Sequence, residues 1–263
     1  MTATDSRIIA IADHAKRLFL NEFDDKELMA SIEFICCTAG TASDICRERI
    51  PETRNDPRYN DLDHFLGIGA EVFTETGNRI LVRTDLDVSE TMMLHIILHE
   101  IGHIYADRHE YGGKSFREIH CEEGAPGEIR KGYSVWMEFI AEILADMTDP
   151  SFTFGHQLNR RFLSKAEKDV KLAYDPDSLV LIGTEKADMR IHEILTHIFT
   201  SYTFISSRTF RSFSEKVCMR WLDSLLELIY GQLHKKDFIS IDEGFISSLG
   251  SEYLRMLVSL AVV

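Results

Sequence analysis

The sequence predicts an α+β protein, and three observations carry that prediction. Two β-favouring runs, FLGIGAEVF and NRILVRTDL, lie close together between residues 65 and 87. Stretches with apolar residues at helical spacing stand before and after them, and helical patterns dominate the chain beyond residue 150. Strands followed by a run of helices build an α+β fold, whereas a doubly wound sheet needs the two to alternate. On this reading residues 1–150 hold the sheet and residues 151–263 form a helical C-terminal region.

The first element is a helix over 6–23, where Ile8, Ile9, Ile11, Ala12, Ala15, Leu18 and Phe19 recur at helical spacing. Residues 27–49 are ambiguous, because a run as short as EFICC suits either a strand or part of a helix. PETRNDPRYNDLD is polar, holds two prolines and reads as a connecting loop. The two β-favouring runs are joined by TETGN, whose Gly77 and Asn78 suit a hairpin turn, so a small antiparallel sheet is expected. A helix starts near residue 90 with Asp87 or Ser89 as its cap. Residues 112–132 contain five glycines and many charges and read as a long surface loop, a lid or binding segment. Another helix, SVWMEFIAEILADM, follows it. Further helices are expected at roughly 183–205, 214–233 and 246–262.

The composition excludes some classes of function. With 43 acidic against 29 basic residues the formal net charge is −14. A general nucleic-acid surface is therefore not expected, because such surfaces neutralise phosphates with Lys and Arg. The N-terminus lacks a cationic start followed by an apolar stretch, and no apolar run approaches the roughly 18 residues of a membrane span. Five cysteines form no C-x-x-C pair, which suits free thiols in a reducing compartment. The expectation is a cytoplasmic protein.

Chemistry concentrates in LHIILHEIGHIYADRHE, residues 94–110, with histidines at 95, 99, 103 and 109. The first three are four apart and stack on one helical face, about 6 Å per step. One ion with imidazole bonds of about 2 Å bridges one such step but not two. The pair His99 and His103 is favoured because Glu100 makes it an H-E-x-x-H. Two ring nitrogens one turn apart face one ion, and Glu100, about 100° round the helix, reaches a water on the ion's open side. An apolar helix (Leu94, Ile97, Leu98, Ile101, Ile104), Gly102 between the ligands and a preceding strand give the motif a context that a chance occurrence lacks.

A third ligand is needed if one position is to stay open. His109 follows His103 by six residues, the spacing of metzincins, but Ala106 stands where those enzymes have the glycine of a sharp turn. Glu138 lies 35 positions after His103 on the next predicted helix. HEIGH followed by Glu138, Ala141, Glu142 and Ala145 resembles the gluzincin branch of the zincin metallopeptidases, and is similar to the ImmA/IrrE-like and HtpX-like families over residues 65–150.

That resemblance implies a zincin-like core, a small antiparallel sheet packed on the H-E-x-x-H helix. It implies Zn2+ on His99, His103 and Glu138, with Glu100 as general base and Glu142 as an acceptor orienting a ligand histidine. Glu142 stands where Asp or Asn is usual, and Glu142–Asp146 also fits E-x-x-A-D, so Glu142 remains an alternative ligand. NRILVRTD is the expected edge strand that takes up substrate. Tyr105, Tyr111, His120 and Tyr133 lie in or beside the long loop, within reach of the ion's open side. The implied function is a zinc-dependent peptidase acting on a peptide or protein substrate, with the narrow specificity of a regulatory protease. The alternative is a regulatory or interaction protein whose zinc is structural, held by four protein ligands.

Overall fold

The computed structural model describes residues 3–111, 114–120, 125–151, 174–175, 180–181, 220–233, 235 and 240–262. The chain forms two compact units, one of residues 1–105 with 147–152, the other of residues 106–146 with 153–263. The architecture is α+β: mostly helical, with a small sheet of three strands.

The first unit opens with α1 (Ala3–Phe23), whose Ala12, Ala15 and Phe19 are fully buried, as the periodicity predicts. After α2 (Lys26–Ser31) comes β1 (Glu33–Cys37), so EFICC is a strand. Then follow α3 (Ala39–Arg49), two 3-10 turns (Pro51–Thr53 and Pro57–Asn60) and α4 (Leu62–Gly67). The strands β2 (Ala70–Phe73) and β3 (Arg79–Arg83) make the expected hairpin, with Gly77 at φ 138° in its turn.

Three expectations are corrected. The sheet is mixed: its order is β1-β3-β2, and β1 runs parallel to β3 while β2 runs antiparallel to it. NRILVRTD is therefore the central strand, paired on both sides, and the edges belong to β1 and β2. Residues 65–67 are helical, because Asp61 accepts from the Asp63 N–H and starts a turn that buries Phe65 completely.

One face of the sheet supplies Ile35, Cys37, Leu81 and Phe73 to an apolar cluster with Ala42, Cys46, Ile50, Tyr59 and Phe65. Burial pushes the Cys37 and Cys46 thiols up to about 12, so neither is a nucleophile at neutral pH. Arg83, buried at the end of β3, donates to the Phe65 carbonyl (2.8 Å) and to Asp85 (2.8 Å). The second Asp85 oxygen accepts from the Ala39 N–H (3.2 Å), so one ion pair ties the end of β3 to the start of α3 and to α4. The last element of this unit is α5 (Glu90–Arg108), whose final residues continue into the second unit.

In the second unit the expected loop over 112–132 is largely helical, as α6 (Lys114–His120) and the first turns of α7 (Gly127–Thr148). Glycine at 132 weakens a helix on paper, yet here it serves packing. A Cβ at Gly132 would collide with the Ile246 carbonyl of α9 (Glu243–Val262), and one at Gly250 with the Glu128 carbonyl. The two helices meet backbone to backbone at that crossing. Trp136 completes the contact, its ring 5.2 Å from Phe245 and at 88° to it, its Nε1 donating to the Tyr111 carbonyl (3.3 Å). The remaining described elements are α8 (Arg220–Leu233) and a pair of two-residue strands, β4 (Tyr174–Asp175) and β5 (Val180–Leu181). The helix expected over 183–205 lies outside the described residues. Among the described residues no helix is long and apolar enough to cross a membrane.

Candidate metal centre

The helix α5 is started by Ser89, whose Oγ accepts from the Met92 N–H (3.1 Å) and whose carbonyl accepts from the Met93 N–H (3.0 Å). Asp87, the other candidate, is not the cap. The buried residues Met93, Ile97, Leu98, Ile101, Ile104 and Tyr105 fix which way the helix faces. Once that orientation is set, the positions of the histidines follow from the helical repeat.

His99 and His103 are brought together as the spacing predicts. Their Nε2 atoms lie 3.0 Å apart, with ring centroids 4.6 Å apart and planes at 85°. Between two neutral imidazoles this is a hydrogen bond in which one Nε2 carries the proton and the other accepts it. A tetrahedral zinc with bonds of about 2.0–2.1 Å holds two nitrogens roughly 3.3 Å apart. The observed pair needs to open by only a few tenths of an ångström, with both Nε2 atoms deprotonated, to fit it. A third group stands with them: the ligand atoms of His99, His103 and Glu138 all lie within 4.8 Å of one another. Two imidazoles and a carboxylate are a donor set that suits zinc.

The other sequence candidates sort as follows. Glu100 is half-buried on α5, next to His99. Glu142 is buried on α7, at 1% exposure, and is not one of the three grouped residues. His109 is exposed, and the turn that a metzincin places before its last histidine falls after it here. Ala106 is an interior helical residue, α5 runs on through Arg108, and the left-handed residue is Glu110 (φ 58°). The Tyr111 N–H then closes back on the Ala106 carbonyl (2.9 Å), a Schellman-type end in which His109 is the last residue before the turn.

Each of the four residues expected beside the loop makes a packing, hydrogen-bonding or ion-pair contact. Tyr105 packs against Phe19 and Phe23, with centroids 5.3 and 4.8 Å away, and Tyr133 stacks on Phe116 at 5.9 Å and 11°. His120 pairs with Glu243 (3.4 Å), and Tyr111 gives its carbonyl to Trp136. His192 and His197, five apart and so on different faces of an expected helix, are not expected as ligands and lie outside the described residues.

His95, set aside in favour of the pair 99/103, is buried at 3% exposure one turn before His99. One residue escaped the sequence reading: Asp107, buried at 9%, one turn after His103 and 3.5 Å from Arg117. The signal was present in the continued four-residue spacing 95, 99, 103, 107. Compared with protein-family models, with curated proteins and with solved structures, the chain finds no match in any of the three.

Proposed function

We propose that the protein is a zinc-dependent metallopeptidase of narrow specificity, with His99, His103 and Glu138 as metal ligands and Glu100 as general base. The observation that carries this reading is the grouping within 4.8 Å of ligand atoms from the two histidines of the H-E-x-x-H turn and from Glu138 of α7. Among the described residues the group numbers three, which leaves a coordination position open; a closed structural site needs a fourth protein donor. Glu100 adds weight, since a purely structural site has no use for it.

Bound zinc supplies Lewis acidity, polarising the scissile carbonyl and making water a nucleophile near neutral pH. The residues of the chain do the rest. His99 and His103 hold the ion against a helix whose other faces are buried, so their geometry is set by packing before substrate arrives. Glu100 takes the proton of the attacking water as its oxygen bonds to the carbonyl carbon. When the C–N bond breaks, the same carboxyl returns that proton to the leaving amine. Substrate in extended form pairs with a free sheet edge, and since β3 is central that edge is β2 or β1.

Elemental analysis of metal-replete wild type, Glu138→Ala and His109→Ala, purified side by side, tests the reading. About one zinc per chain is expected in wild type and His109→Ala, and far less in Glu138→Ala. Stoichiometric iron in place of zinc, or no bound metal, refutes it.

A further inference from the structure

We propose that α6 is a releasable strap, fastened at its middle to α5 by Arg117–Asp107 and at its C-terminal end to α9 by His120–Glu243, and seated by Phe116 on Tyr133. The ion pairs span 3.5 and 3.4 Å, too long for good hydrogen bonds, and three of their four side chains are about a third or more exposed. Among the described side chains of α6 only Phe116 is buried, packed between His120 (4.5 Å) and Tyr133 (5.9 Å). Ile119, two residues from Arg117, is 70% exposed and holds nothing.

A helix of seven residues has almost no stability of its own, so α6 depends on its contacts with the rest of the unit. The neighbouring α7 is different: thirteen of its residues are buried. The strap therefore opens without the rest of the unit, a local transition drawn from the low end of the protein's stability range. Opening uncovers the face of the Tyr133 ring that Phe116 covers and breaks the Arg117–Asp107 pair. Asp107 follows His103 by one turn on α5, so the strap is fastened to the same helix that carries the histidine pair.

Amide hydrogen exchange on the full chain, read by mass spectrometry, tests this without reference to metal or activity. In wild type, residues 114–120 are expected to exchange at least tenfold faster than residues 135–145. Arg117→Ala and Glu243→Gln are each expected to speed exchange in 114–120 by roughly two- to fivefold, and Phe116→Ala by about tenfold or more, with 135–145 unchanged. Exchange of α6 and α7 at one common rate overturns the proposal. So does a set of variants that leaves 114–120 unaltered, or that accelerates both segments together.

Discussion

Two regions of the molecule place polar groups among apolar ones and do so for opposite ends. At the end of β3 the buried guanidinium of Arg83 meets oxygen acceptors, two carbonyls and the Asp85 carboxylate. Donor meets acceptor and charge meets charge, so that polar centre is complete as it stands and serves the fold. On α5 two imidazoles face each other through like atoms, Nε2 to Nε2. One shared proton holds them together, and an ion that displaces that proton gains two donors already converged. The contrast separates a buried polar centre that holds the fold together from a pair of imidazoles that, with Glu138, could hold a metal ion.

Substitutions in each region sharpen that contrast. The largest effect is expected from Glu100→Gln, which lowers peptide hydrolysis by about 10²–10⁴-fold, the usual worth of a general base, while bound zinc per chain stays at the wild-type value. Assay of cleavage beside metal content reads this; loss of both together would place Glu100 among structural residues. Leu81→Ala, in the cluster under the sheet, is expected to cost about 2–5 kcal/mol in urea unfolding and to leave zinc per folded chain unaltered. Dependence of metal content on Leu81 would erase the distinction between the regions.

The Arg83 centre also has a pH signature. The Arg83 hydrogen bond, followed by the Ala39 N–H, holds the Asp85 carboxyl below its usual range. A folded pKa below the unfolded one means that the contribution to stability is full above the ordinary carboxylate range. It is lost as pH falls from that range toward the lower folded value. Unfolding of Asp85→Asn is therefore expected to be less stable than wild type at pH 7 and to approach it below about pH 4. A constant difference across the whole range would mean that the pair stabilises by packing alone. The smallest effect is expected at the end of α5: Glu110→Gly relieves the left-handed backbone and raises stability by about 1 kcal/mol or less. A loss of stability there would mean that the Glu110 side chain contributes more than its backbone costs.

What the sequence determined by itself was local. The α5 helix, its start close to Ser89 and the meeting of His99 with His103 all follow from a repeat of 3.6 residues and one side-chain cap. The hairpin was legible for the same reason, since Gly77 sits within the turn that joins its strands. The missed features depend on residues far apart in the chain. Nothing near residue 35 announces that β1 pairs in parallel with β3 over forty residues later, and that pairing is what turned the expected edge strand into the centre of the sheet. Gly132 read as part of a loop until the backbone of α9 explained it. The placement of Glu138 beside the histidines, with Glu142 buried elsewhere on the same helix, was likewise beyond a periodicity that allowed both. Spacing sets which residues share a helical face, but which faces meet is settled by burial of the whole chain's apolar surface, and only the tertiary structure records it.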